Sequence, residues 1–189
     1  MPNILRVKCA VVGDSTVGKT ALMQMLLSEG RQFPKSYTMT LGADLFVKQI
    51  PIPDTDDVVE LYLYDSSGLE IYEDLLPKYW NEPNMMMVLY DVTSESSFQA
   101  ASQWTTLVRS FIPKKFADVA PGILFANKVD LVERRTVNEQ MGTETAEKFG
   151  LHYLEGSAKQ NLGVKEPFSL LAQEWFGIVH RTPRNFGVS

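Results

Sequence analysis

The chain has 189 residues, of which 44% are hydrophobic, enough for one compact domain with a real core and too few for two. Its net charge is -5 and no stretch gathers lysine and arginine, which argues against a nucleic-acid partner. One cysteine excludes an internal disulfide or a cysteine metal cluster, and no apolar run approaches the roughly 20 residues that cross a bilayer. The N-terminal MPNILR has no signal-peptide pattern, so an unprocessed intracellular chain is expected.

In chain order, VKCAVVG (residues 7–13) reads as a buried strand, with Cys9 as a small core residue. It runs into G-D-S-T-V-G-K-T, Gly13 to Thr20, which opens the helical segment ALMQMLL. That context gives the pattern G-x-x-x-x-G-K-[ST] its meaning as a phosphate loop. Gly13, Asp14, Ser15, Thr16, Val17 and Gly18 would turn successive N–H groups toward phosphate oxygens, and the helix N-terminus adds partial positive charge. Lys19 would bridge the outer phosphates and Thr20 would offer its hydroxyl to magnesium.

Next, ADLFVKQIPIP (residues 43–53) alternates like a half-exposed edge strand and turns back through PDTDD into the apolar VVELYLYD (58–65). DSSGLE follows, at residues 65–70. MMMVLYD (85–91) is a further strand, with Met85, Met86 and Met87 expected in the core. Phe98, Ala101, Trp104, Val108 and Phe111 recur at helical spacing. GILFANK (122–128) is the next strand and leads into N-K-V-D, in which Asn127 and Lys128 precede Asp130. The Asp130 carboxylate is suited to accept from the N1–H and 2-amino groups of guanine, a donor pair that adenine lacks. After LHYLE comes G-S-A-K, where Ser157 would brace the loop, the Ala158 N–H would reach the guanine carbonyl, and Lys159 closes the motif. Phe168, Leu171, Ala172, Trp175, Phe176 and Val179 mark a last helix. Strands alternating with helices argue for an α/β domain with helices on both faces of a mostly parallel sheet.

Phe98, Trp104 and Phe168 are expected in the core, and Trp175 and Phe176 are expected at a partner contact. His152 and His180 stand apart from any cluster at metal-ligand spacing, so no metal or nucleophilic role is expected for them.

The phosphate loop, N-K-V-D and G-S-A-K, in this order and spacing, resemble the signature set of Ras-superfamily small GTPases over nearly the whole chain. F-P-K-S-Y-T-M-T-L-G-A-D-L is similar to the Rab first switch, F-x-x-S-Y-x-x-T-I-G-V-D-F, and Y-D-V-T-S-E-S-S-F is also Rab-like. The resemblance implies a small-GTPase G domain with a six-stranded, mostly parallel sheet, one antiparallel edge strand and about five helices on both faces. A single domain over residues 1–189 is implied, with a core of about 5–180 and a short tail 181–189. It implies GTP or GDP with Mg2+ as cofactors. Phe33 would pack against the base, Tyr37 would lie over the phosphates, and Thr40 would bind magnesium and the γ-phosphate.

Where a Rab reads W-D-T-A-G-Q-E, this chain reads Y-D-S-S-G-L-E. Asp65 is kept for magnesium, through water, and Gly68 keeps its N–H for the γ-phosphate. Leu69 stands at the usual glutamine position and offers no donor or acceptor to orient attacking water, so no catalytic side chain is assigned there. Ser15, followed by Thr16, stands close to the transferring phosphate at a position where many small GTPases prefer glycine, which also argues for slow hydrolysis. Intrinsic hydrolysis slower by roughly tenfold or more is expected, about 1.4 kcal/mol of barrier. The other reading is that an activating partner supplies the missing groups in trans.

Three departures from Rabs stand out: PIPDTDD before the third strand, K-Y-W-N-E-P-N (78–84) where a Rab reads Y-Y-R-G-A, and the C-terminal R-T-P-R-N-F-G-V-S without a prenylation cysteine. Pro2 leaves no glycine for myristoylation, so no lipid anchor is expected. With the first-switch stretch, these departures resemble the Rab-like GTPase subunits of the intraflagellar-transport B complex. That resemblance implies the cytoplasm and the cilium or flagellum as location. It also implies a stable heterodimer with subunit twenty-five, a small β-sandwich protein, and contact with other train subunits. Two further readings are a structural subunit whose nucleotide is static and a vesicle-trafficking Rab, which the missing cysteine argues against. An ATP-using phosphate-loop enzyme would have no use for N-K-V-D.

Overall fold

The computed structural model describes residues 3–181. Six strands form one sheet: β1 (Ile4–Val12), β2 (Ala43–Pro51), β3 (Val58–Ser66), β4 (Met85–Asp91), β5 (Gly122–Asn127) and β6 (His152–Glu155), in the order β2-β3-β1-β4-β5-β6. Only the β2–β3 pair is antiparallel, from Ala43 opposite Ser66 to Pro51 opposite Val58. Five α-helices complete the described residues: α1 (Lys19–Leu27), α2 (Leu76–Trp80), α3 (Glu95–Phe111), α4 (Glu139–Lys148) and α5 (Glu166–Arg181). The α/β fold expected from the alternation is the one found, with the antiparallel strand at the edge. Pro2 and the tail beyond Arg181 lie outside the described residues.

The pleat explains why the strands read as unbroken apolar runs. Val7, Cys9 and Val11 face one side, with Met85, Met87, Leu89, Ile123 and Phe125, and pack on α1 and α5. Ala10 and Val12 face the other side, with Met86, Val88, Tyr90, Leu124 and Ala126, and pack on α2, α3 and α4. Each residue of β4 is therefore buried on one face or the other, as the sheet's covered geometry requires. On the edge strand β2, Phe46 and Ile50 lean onto the first core while Leu45 and Val47 stay exposed, which is the alternation read from ADLFVKQIP.

Caps set the helix starts. Ser94 Oγ accepts from Ser97 N (3.2 Å) ahead of α3, and Asn138 Oδ1 accepts from Met141 N (2.9 Å) ahead of α4. At α1 the residue in that place is Gly18, and no side chain caps it. Its first-turn N–H groups remain available to an anion.

One aromatic assignment is corrected. Trp175, expected at a partner contact, is buried in the core edge-on to Phe116, with ring centroids 5.0 Å apart. Its position on the apolar stripe of α5 turns it under the sheet, while Phe176 beside it is half-buried and stacked on His180. The histidines are also less isolated than their sequence neighbours indicate. His152 Nε2 lies 2.6 Å from Glu174 Oε1, and His180 lies 3.9 Å from Asp57.

Candidate functional site

In a parallel sheet the loops that leave the carboxyl ends of the strands share one edge, and ligands bind where the strand order reverses. Here β1 is that point, flanked by β3 and β4. The loops after Val12, Ser66, Asp91, Asn127 and Glu155 consequently meet on one rim, although up to 142 residues separate them in the chain.

The phosphate loop is held by its own lysine and by its neighbours. Lys19 Nζ donates to the carbonyls of Gly13 and Asp14, each at 2.7 Å. Burial pushes the Lys19 pKa down to about 8, against the pull of Asp65 and Asp14. Gly18 has φ of 103°, and a Cβ there would come within 2.3 Å of Asn127 Nδ2, so no other residue fits this crossing. Asp14 Oδ1 accepts from the indole N–H of Trp104 on α3 at 2.9 Å. Helical spacing marked Trp104 as core, and it is, but nothing in the sequence indicated that its polar edge secures the phosphate loop.

Beside the loop three oxygen-bearing side chains converge. Thr20 Oγ1 donates to Asp65 Oδ2 at 2.5 Å and lies 3.1 Å from Thr40 Oγ1. Asp65 is wholly buried, and its Oδ1 has no hydrogen-bond partner among the described residues. A buried carboxylate oxygen left unpaired is costly. Set beside two hydroxyls, it makes a hard-oxygen group that fits a divalent cation such as magnesium. Burial pushes the Asp65 pKa up to about 6 despite the Thr20 bond and the nearby Lys19.

The consequence for cation-free, nucleotide-free protein has a definite sign. The folded carboxyl titrates above its unfolded value near 3.8, so the folded state holds more protons between about pH 4 and 6 and loses stability as pH rises through that window. Asp65→Asn removes the effect. Between pH 5 and 7 the variant should gain on the parent by about 1 kcal/mol, read by chemical denaturation at each pH, and should lose stabilisation by magnesium.

At the other end of the rim, Asn127 is buried and uses its whole amide. Its Nδ2 donates to the Val17 carbonyl (2.8 Å) and its Oδ1 accepts from Ala158 N (3.1 Å), tying the phosphate loop to the G-S-A-K loop. Lys128 donates to the Thr16 carbonyl at 2.8 Å and pairs with Asp91 at 2.7 Å. Burial works against the Asp91 charge, but the Lys128 and Thr93 bonds win and hold its carboxyl below the usual range. Ser157 Oγ donates to Asp130 Oδ1 at 2.5 Å, which fixes the carboxylate on the rim. Lys159 is exposed at its edge.

The first-switch residues are placed less uniformly. Tyr37 and Thr40 line the cleft over Lys19 and Thr20, together with Gly68 and Leu69, while Phe33 lies outside that lining and is exposed. A Cβ on Gly68 would lie 2.2 Å from Asp14 C and Ser15 N, both backbone, so this loop is pressed onto the phosphate loop, and Ser15 N donates to the Gly68 carbonyl at 3.1 Å. Leu69 is half-buried, its N–H donating to Ser67 Oγ at 3.3 Å, and its side chain brings only carbon to the cleft.

Comparison with known proteins gives the same frame. The Ras family profile matches residues 8–176. The chain is 44% identical over 171 residues to the intraflagellar transport protein 27 homolog of Bos taurus and 43% identical to that of Homo sapiens, covering 90% of each chain. It is 32% identical over 165 residues to the Ras-related protein Rab-30 of Homo sapiens, covering 87% of this chain and 77% of the relative.

Proposed function

Because the chain belongs to the Ras family, as a Rab-like member most similar to the intraflagellar transport protein 27 homologs among these relatives, we propose that it is a guanine-nucleotide-binding subunit of the intraflagellar-transport machinery. It binds GTP or GDP with Mg2+ and acts in the cytoplasm and the cilium or flagellum, paired with subunit twenty-five of the B complex and in contact with other train subunits. The observation that carries this reading is Asn127. One buried amide joins the phosphate loop at Val17 to the loop bearing Ser157 and Ala158, while the next turn presents Asp130 held by Ser157. Such an arrangement fixes the distance between a phosphate cradle and a carboxylate that accepts from guanine.

In this reading residues 13–20 cradle the phosphates, with Lys19 at the outer ones. Asn127, Lys128, Asp130, Ser157, Ala158 and Lys159 form the base site. Phe33 and Tyr37 cover the nucleotide from the first switch. Thr20 and Thr40 would offer their hydroxyls to magnesium, with Asp65 acting through water, and the ion would supply charge neutralisation for the phosphates. Thr40 and Gly68 sense the γ-phosphate. The described residues 3–181 act as one G domain.

The direct test is chromatography of the nucleotide released from purified protein. GTP or GDP is expected, and an adenine nucleotide would overturn the reading. Affinity for subunit twenty-five and the train subunits, measured with GDP and with a non-hydrolysable GTP analogue, separates a switch from a structural subunit. A difference is expected; equal affinities would make the nucleotide a static part of the fold.

Turnover is slow in this reading because Leu69 brings no hydrogen-bonding atom to the site of attack. Leu69→Gln should raise single-turnover GTP hydrolysis about tenfold, equivalent to about 1.4 kcal/mol. An unchanged rate would remove Leu69 as the limiting residue.

A further inference from the structure

The second switch holds two adjacent serines, Ser66 and Ser67, and the fold uses them in opposite ways. Both are buried. Ser66 is fully committed: its Oγ accepts from the indole N–H of Trp80 at 2.9 Å and donates to the Tyr64 carbonyl at 3.2 Å. Ser67 is only half committed. Its Oγ accepts from Leu69 N, its own N–H donates to the Gly42 carbonyl at 2.7 Å, and its O–H donates to no group among the described residues. Asp65 faces Thr20 from the end of β3, and Ser67, the first residue after that strand, lines the same cleft as Lys19, Thr20, Thr40, Ser66 and Gly68. Ser67 is only 2% exposed within that cleft.

We infer that the Ser67 hydroxyl is an additional sensor of the terminal phosphate, donating its unspent hydrogen bond to a γ-phosphate oxygen when GTP is bound and finding no such acceptor with GDP. The inference rests on the guanine-nucleotide reading above. Its chemistry is that of a charge-assisted bond from a pre-positioned donor, made only in the triphosphate state. Three features pre-position it: the Gly42 carbonyl holds its backbone, the Leu69 N–H holds its oxygen, and the Trp80 bond holds the neighbouring Ser66 side chain. A donor that distinguishes the two nucleotides biases the chain toward GTP, and a side chain at residue 69 unable to orient water would leave that bias in place for longer. Ser67 is thereby a specificity residue for nucleotide state, and no bond-breaking step is assigned to it.

The experiment compares affinities for GDP and for a non-hydrolysable GTP analogue, with magnesium present, in the parent, Ser67→Ala and Ser66→Ala. Ser67→Ala should weaken the analogue about fivefold to tenfold while leaving GDP within twofold, the size of effect expected for one such bond. Retained GDP binding reports that the variant is folded. Ser66→Ala should shift both nucleotides together or neither. A second readout is phosphorus NMR of the bound analogue, where Ser67→Ala should move the γ-phosphate resonance and leave the α resonance in place. An unchanged ratio of the two affinities, with binding intact, would overturn the inference while leaving the nucleotide reading standing. A parent that binds neither nucleotide would overturn both.

Discussion

Asp130→Asn is expected to weaken GTP binding by about a thousandfold while the protein stays folded. In the proposed complex the carboxylate accepts two hydrogen bonds from guanine, at N1–H and at the 2-amino group. Asparagine replaces one acceptor with a donor, so one bond is lost and two N–H groups confront each other. Sites built around a polar pair reject a mismatched partner by factors of roughly 10⁴, so a thousandfold loss is within their reach. Folding should tolerate the change because Ser157 donates to Asp130 Oδ1, and an amide oxygen still accepts that bond, without the charge assistance. The same chemistry makes a positive prediction. Xanthine carries a carbonyl where guanine carries its 2-amino group, so its N1–H and C2=O match the acceptor and donor of asparagine. Titration with fluorescent guanosine and xanthosine diphosphates measures both limbs. A variant that keeps guanosine affinity and gains none for xanthosine would remove Asp130 from base recognition.

Asp130 stands out in the sequence as a candidate because N-K-V-D is a short motif directly behind a strand. The sheet was readable for a related reason: strands covered on both faces must be apolar at every position, and β4 as MMMVLYD has no other explanation of comparable economy. What the sequence concealed are partnerships formed across the fold. Trp104 and Asp14 are 90 residues apart, and helical spacing identifies the buried side of α3 without indicating where an indole N–H will find an acceptor. Trp175 shows the reverse error. The expected lack of a lipid anchor argues for a partner contact there, although the apolar stripe that it shares with Phe168, Leu171 and Ala172 places it inward. Ser66 and Ser67 are indistinguishable as letters, and it is the bond from Trp80 to Ser66 that tells them apart. Tertiary geometry decides such cases, because a polar atom's partner is chosen after the backbone has been laid down.

Trp80→Ala should cost about 3–5 kcal/mol of stability, the usual penalty for emptying a fully buried aromatic site. Against a typical domain stability of roughly 5–15 kcal/mol, this is a large share and corresponds to a fall in melting temperature of about 10 °C. Trp80 sits in the stretch K-Y-W-N-E-P-N that separates this chain from Rabs, and it has no exposed surface. It packs with Leu76 in the core on the α3 side and stands edge-on to Phe111, with ring centroids 6.4 Å apart. Its N–H holds Ser66 at the end of β3. One residue earlier, the Tyr79 ring lies over Gly42, where an added Cβ would meet its hydroxyl at 2.7 Å. Helix α2 thus touches the end of the second switch through Trp80 and the end of the first through Tyr79. Trp80→Phe separates packing from bonding: it keeps most of the ring and loses the N–H, so a cost of only about 1 kcal/mol is expected. Denaturant titration of the two variants makes the comparison. Equal losses would mean that the hydrogen bond to Ser66, and not the buried ring, carries the stability of this helix. Losses in the expected ratio would mean that the helix is anchored by packing, with the bond to Ser66 left to orient the residue beside Ser67.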